Sequence, residues 1–343
     1  MGFRGKQSLF ERSTRGLLAV AFVLAASLPV GSRAGTNVAA AQGALIADMA
    51  SSVRTGLKEQ MVTRDAAPLW AFLDPDLEDA LARSIADLGL EEPLREKKLA
   101  VALVDTTDLA HPRVAALNGD TMLYAASLPK IAVMLGVYEK AAEGKLVIDD
   151  QTHGQLQRMI RRSSNPDATA LMQKVGLDYI ARTLIAPRYR LYDPRRGGGL
   201  WAGKDYAQAG LWRRDPLQNL AHAATAMQVA RFYYLLETGN LVSPEASAKM
   251  KQMLSNPGIE HKFVAGLATV APQARLYRKS GTWAQWHSDS AIVEHDGRKY
   301  IAVALAESPA GGQWMREIIV ALDRLVLEGP PTRIASAQRS GGS

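Results

Sequence analysis

The chain has 343 residues, 47% of them hydrophobic, with a formal charge of +7. That composition excludes a disordered protein and leaves room for one large domain or two ordinary ones. The absence of cysteine excludes disulfides, thiolate metal sites and a cysteine nucleophile together.

The positive charge sits largely at the ends. Residues 1–34 hold five basic residues (Arg4, Lys6, Arg12, Arg15, Arg33) and one acid (Glu11), so the chain without them falls from +7 to +3, and Arg333 and Arg339 belong to the tail. A folded part so near neutrality points away from nucleic acid and from anionic surfaces. The first four basic residues precede an apolar run over residues 17–30, and Ser32-Arg33-Ala34 offers small residues at a cleavage position. The run is shorter than the roughly 20 residues a membrane span needs. Residues 1–34 therefore read as an export signal, and the mature protein is expected in the periplasm or outside the cell, with no transmembrane span.

Residues 35–75 read as a spacer rich in Ala, Ser and Gly with one helix over 44–61. A folded domain is expected over 76–329. It opens with a helix over 77–88, signalled by Asp74-Pro75-Asp76. A strand follows over 99–104, LAVALV, and a second over 113–118 turning at Asn118-Gly119-Asp120. The region 127–219 reads helical, with helices over 128–143, 151–162 and 167–183 and a loop-rich stretch over 187–216. Another helix covers 223–236, closed by Gly239-Asn240. Three strands return over 275–281, 288–294 and 299–306, the last two joined through Asp296-Gly297, a hairpin signal. A helix over 311–327 ends the domain, and 330–343 reads as a frayed tail. Strands at both ends enclose helices in the middle. That order predicts an antiparallel sheet closed by distant segments, an inserted helical subdomain and a cleft where the two meet.

Three short patterns fall at that cleft: Ser127-Leu-Pro-Lys130, Ser163-Ser164-Asn165 and Lys279-Ser280-Gly281-Thr282. The first opens a helix, the second lies between two helices and the third lies on a strand. A serine at a helix N-terminus sits among unpaired N–H groups that favour the negative charge of an acyl-transfer intermediate. Lys130 lies one turn on, within reach of the Ser127 hydroxyl, and burial beside a second cation, Lys279, lowers its pKa into the range of a base. Lys279 also suits a substrate carboxylate, together with Ser280. Gly281 lets the strand approach closely, so that the Thr282 N–H joins that of Ser127 as a two-donor oxyanion hole. Ser163 suits proton relay to a leaving nitrogen, and Asn165 suits a substrate amide. Nothing calls for a cofactor or metal: the six histidines lack ligand spacing and read as surface or satisfied residues.

This set, in this order, resembles the penicillin-recognising serine acyl-enzymes, class A β-lactamases and D,D-peptidases, whose pattern is S-x-x-K, then S-D-N or S-x-N, then K-T-G or K-S-G. The resemblance covers about residues 77–327. It implies an α/β chain of the α+β type, a three-layer fold with a five-stranded antiparallel sheet flanked by helices and an inserted, trimmed all-helical subdomain. It also implies a monomer that opens β-lactam or peptidoglycan-peptide-like amide bonds through an acyl-enzyme on Ser127. Two departures stand out. Ser163 follows Ser127 by only 36 positions, closer than in class A β-lactamases. Those enzymes also carry a loop glutamate that activates the deacylating water, and this chain has no glutamate between Glu143 and Glu237. Its loop offers only Asp193, Asp205 and Asp215, so deacylation is expected to be slow.

Other features read more plainly. Gly198 to Lys204 mimics a phosphate-binding loop, but Asp205 replaces the needed hydroxyl and no buried strand precedes it. Trp283 and Trp286 either line the cleft rim or pack at a strand edge. Arg158, Arg161 and Arg162 read as a solvated helix face. The alternative to an enzyme is an envelope module that keeps the fold only to bind peptidoglycan or a protein partner; such a module has no need of Lys130.

Overall fold

The computed structural model describes residues 68–329 apart from 208 and 211. The export signal over 1–34, most of the spacer over 35–75 and the tail over 330–343 lie outside the described residues. Helix α1 (Pro75–Asp87) starts where the sequence signals it. The Asp74 carboxylate accepts the Leu77 N–H at 3.0 Å, and proline fills the first turn. A short α2 (Glu91–Arg95) leads into strand β1 (Leu99–Asp105).

Strand β1 explains the LAVALV run, because it is central and covered on both faces. Alternate residues point to opposite sides. Ala100, Ala102 and Val104 join the core under the inserted helices, while Leu99, Val101 and Leu103 pack with Leu77, Leu81, Met315 and Ile319 on the other face. A strand buried on both faces loses the alternation of a half-exposed one. The five expected strands form one antiparallel sheet, ordered β2 (Arg113–Leu117), β1, β10 (Arg298–Glu307), β9 (Trp286–His295) and β8 (Arg275–Trp283). Leu99 pairs with Ala306 and Lys279 with Ser290, so the sheet joins the two ends of the folded region. The last helix (Gly311–Glu328) covers its outer face.

The inserted region is mostly helical, and its boundaries differ from expectation in instructive ways. Strand β3 (Leu123–Tyr124) precedes the turn that holds Ser127, and helix α3 (Lys130–Ala142) starts at Lys130 rather than at 128. After α4 (Asp150–Arg161), the single helix expected over 167–183 is two, α5 (Asn165–Val175) and α6 (Leu177–Ile185). They divide at Gly176, whose φ of +88° no helix accepts. The loop-rich stretch contains β4 (Tyr192–Asp193), β5 (Gly198–Gly199) and β6 (Trp201–Ala202). The helix expected from 223 begins as α7 (Ala226–Glu237), capped by Thr225, because His222–Ala224 form strand β7 between β3 and β6. Two further helices, α8 (Pro244–Leu254) and α9 (Phe263–Val270), fill the stretch before β8; the closing helix is therefore α10. No helix among the described residues is long and apolar enough to cross a membrane.

Candidate active site

The site forms where the turn before α3, the α4–α5 junction and strand β8 converge. Ser127 is partly exposed on the turn and follows Ala126, which has a positive φ of 50°. Two bonds from different segments hold the turn's carbonyls: Ser288 Oγ donates to the Ala125 oxygen at 2.8 Å, and Tyr206 Oη donates to the Ala126 oxygen at 3.1 Å. Ser163 also sits at positive φ, 57°. Backbone conformations of this kind persist where surrounding contacts enforce them, and they recur at functional sites.

Lys130 is fully buried. Its Nζ lies 3.1 Å from Ser127 Oγ, 2.6 Å from the Ser163 carbonyl oxygen, 3.3 Å from Ser163 Oγ and 2.7 Å from Asn165 Oδ1. Burial brings its pKa down from the usual 10.5 to about 7, so a large fraction is neutral at neutral pH and able to accept a proton. Lys279, equally buried, donates to Ser163 Oγ at 3.0 Å and to the Ser280 carbonyl at 2.7 Å. Burial first, then the charges of Lys130 and Arg278, push its pKa well below normal. Ser163 Oγ thus accepts from both lysines. A hydroxyl has two acceptor positions and one proton, so its own hydrogen is left for a third group in the cleft.

Gly281 brings β8 against the nucleophile. A Cβ at that position would lie 2.3 Å from the Ala125 oxygen and 2.6 Å from the Ser127 nitrogen, which only glycine avoids. Ser280 is buried and Thr282 exposed. Beneath this strand lies a residue that sequence reasoning missed, Lys262. Its buried Nζ donates to the Gly281 carbonyl, to Thr282 Oγ1 at 2.9 Å and to the Ser288 carbonyl at 3.1 Å. Burial lowers its pKa to about 8. The only sequence signal was a lone lysine in a polar loop, which is uninformative. Arg278 and Asp289 form a buried pair at 2.7 Å behind Lys279.

Beside these residues, reached through Asn165, the cleft opens into a cavity of about 640 Å³ lined also by Asp205, Tyr206, His222, Trp283 and Trp286, among others. Trp283 is 66% exposed, and Trp286 meets Tyr124 edge to face at 6.0 Å. Both tryptophans therefore line the rim, joined by Trp212, which the sequence did not single out and which lies between Lys204 and Arg214 at 5.1 and 4.0 Å from its ring. His222 departs from the reading of satisfied or surface histidines: it is 4% exposed, its Nδ1 has no hydrogen-bond partner, and it stacks on Tyr206.

The three loop aspartates have different fates. Asp215 accepts Tyr192 Oη and the amides of Leu217, Gln218 and Leu220, which uses it as a buried loop clasp. Asp193 accepts the Arg195 amide as a turn cap. Asp205 lines the cleft and accepts from Gln173 at 3.1 Å. Arg158 pairs with Asp167 and Arg161 donates to the Gln252 carbonyl; both tie helices together. The glycines before Lys204 serve close backbone packing: a Cβ on Gly199 would lie 2.2 Å from the Leu191 oxygen. Among the described residues no group of His, Asp and Glu is arranged to hold a metal ion.

The model of a family described as the β-lactamase enzyme family matches residues 81–187 and 155–328. Among solved structures, a β-lactamase from Sphaerobacter thermophilus superposes with a TM-score of 0.57 at 18% identity, covering 74% of this chain and 99% of that one. PBP-A superposes at 0.53 and 12% identity, covering 70% and 96%. An acyl-enzyme complex of a PBP-A variant with penicillin G superposes at 0.55 and 14% identity, covering 75% and 98%. No curated protein matches the sequence.

Proposed function

The chain belongs to the β-lactamase enzyme family, and from that premise we propose an exported, monomeric serine hydrolase that opens β-lactam or D-Ala-D-Ala-type amide bonds through an acyl-enzyme on Ser127. The observation that carries this reading is the contact of a buried, low-pKa Lys130 with Ser127 Oγ at 3.1 Å, the geometry of an activated nucleophile.

In the proposed sequence, neutral Lys130 takes the Ser127 proton as Oγ attacks the substrate carbonyl. The oxyanion is met by the N–H groups of Ser127 and Thr282, which Gly281 allows to lie side by side. Ser163, with both acceptor positions occupied by Lys130 and Lys279, passes its hydrogen to the leaving nitrogen and recovers one from Lys130. Lys279 and Ser280 hold a substrate carboxylate, and Asn165 meets a substrate amide. For deacylation, water must add to the same carbonyl. Asp215 and Asp193 are committed to loop structure and Asp205 is engaged by Gln173, so the general base falls to Lys130, and the acyl-enzyme is long-lived.

The test is intact mass after exposure to a fluorescent penicillin, alongside nitrocefin turnover and D-alanine release from a D-Ala-D-Ala peptide. The expected result is a persistent adduct on Ser127 with slow nitrocefin turnover. Rapid steady-state nitrocefin hydrolysis overturns the slow deacylation. No adduct with penicillin or with a fluorophosphonate overturns the enzyme and favours a binding module. N-terminal sequencing of the secreted protein checks the removal of residues 1–34.

A further inference from the structure

A ring from the loop lies against Lys130. Tyr206 lies on the loop after β6, and its ring centroid is 4.4 Å from Lys130 Nζ. Its hydroxyl donates to the carbonyl of Ala126, the residue before the nucleophile, at 3.1 Å. The His222 ring stacks on it at 4.2 Å with 6° between the planes. We propose that Tyr206 is the positioning residue for Lys130: its face, backed by His222, holds the ammonium that forms when Lys130 accepts the Ser127 proton, and its hydroxyl fixes the turn that presents Ser127. This rests on the acyl-enzyme reading above.

The surroundings of Lys130 leave the ring this role. Its oxygen contacts, from Ser127, Ser163 and Asn165, are all neutral, and no carboxylate lies within ion-pair distance of it among the described residues. Attraction from an aromatic face is greatest where water is excluded, as it is at this fully buried lysine. Across Ser163 stands a like charge, Lys279, with Arg278, Asp289 and Lys262 around it. On the loop side stand His222 and, behind it, Lys204; burial and the charges of Lys130 and Lys204 hold His222 neutral, with a pKa near 3. The stack therefore adds no second cation against Lys130. Tyr124 faces the same phenol, and burial keeps the Tyr206 hydroxyl protonated as a donor. Asp205, next in the chain, is engaged by Gln173.

The experiment follows the Lys130 titration by carbon NMR of Cε-labelled lysine, in the full-length protein without substrate. The wild-type midpoint is expected near 7. Tyr206→Phe keeps the ring and should leave the midpoint in place. Tyr206→Leu removes the ring and should lower the midpoint by about one pH unit, because the ammonium loses a stabilising face. A leucine variant titrating with the wild type, or a phenylalanine variant falling as far as leucine, overturns the proposal. Should leucine prevent folding, pentafluorophenylalanine at 206 retains the shape and reverses the ring's quadrupole; an unchanged midpoint there overturns it equally. Absence of an adduct with penicillin or fluorophosphonate would sink the acyl-enzyme reading by itself and leave the titration to judge Tyr206.

Discussion

Lys279 Nζ lies 3.0 Å from Ser163 Oγ although 116 positions separate them in the chain, and the same oxygen accepts from Lys130. One hydroxyl thus stands between two buried lysines. Substituting Ser163→Ala removes both the shared acceptor and the proton relay. Acylation by a fluorescent penicillin should slow by about 100-fold, the lower range of general acid–base effects, while circular dichroism stays native. Unchanged labelling would remove Ser163 from the proposed proton path.

The low pKa of Lys130 fixes the direction of two pH effects. With neutral Lys130 as the proposed base, the acylation rate should rise with pH through a midpoint near 7, the value burial imposes. Stability follows from linkage. Between about 7 and the unfolded value of 10.5 the unfolded chain binds the extra proton, so stability rises with pH across that window, and the gain is lost as pH falls from 10.5 to 7. Lys130→Met should abolish labelling and flatten this rise, seen as a smaller change in melting temperature between pH 7 and pH 9.5.

At Gly281 strand β8 lies directly against the turn that holds Ser127. Gly281→Ala places a methyl group against the Ala125 oxygen and the Ser127 nitrogen, both backbone atoms that yield little. Overpacking of this kind costs about 1–3 kcal/mol. Because the displaced atom is the proposed oxyanion donor, the acylation rate should fall by roughly 100-fold or more. Wild-type rates in a folded alanine variant would argue against the close approach.

Lys262 holds the strand from behind, and its effect should be separable from that of Lys279. Lys262→Met leaves the carbonyls of Gly281 and Ser288 without their donor, so acylation should drop about tenfold, on the scale of one lost buried hydrogen bond to a charged group. Lys262→Arg should recover part of the rate. Equal rates in all three proteins would confine Lys262 to packing.

Trp283, two-thirds exposed at the rim, supplies contact area without supporting the core. Trp283→Ala should change the melting temperature by under about 2 °C, as surface substitutions do. The apparent affinity for a β-lactam with a bulky aromatic side chain should weaken several-fold. Comparing ampicillin with penicillanic acid, which lacks that side chain, checks whether the loss follows the ring.

The sequence was most informative where local chemistry and long-range placement coincide. Strand β1 and the β9–β10 hairpin show in a continuous apolar run and in Asp296-Gly297, because burial and turn geometry act over a few residues. Ser127, Lys130, Ser163 and Lys279 show through their spacing, and the structure brings them within hydrogen-bond reach. Lys262, Tyr206 and His222 left no such trace. Each acts through a contact with a residue far off in the chain, and an isolated lysine, tyrosine or histidine carries no periodicity. The break at Gly176 was visible as a glycine, but a glycine in a helical pattern is often tolerated. The loop aspartates differ only in which amides surround them, which is decided by tertiary packing alone.

The pairing of β1 with β10 carries a consequence for the order of events during synthesis. Residues 99–105 hydrogen-bond to residues 300–306, so the central sheet cannot close until the chain is nearly finished. Pairings so distant in sequence form late, because loop closure precedes any reward from contact. Ser127 and Lys130 leave the ribosome about 150 residues ahead of β8, whose Gly281 and Ser280 complete their surroundings. Through that interval the Ser127 turn lacks the strand that packs against it, and Ser163 lacks its bond from Lys279. The topology thus leaves the site incomplete until β8 docks.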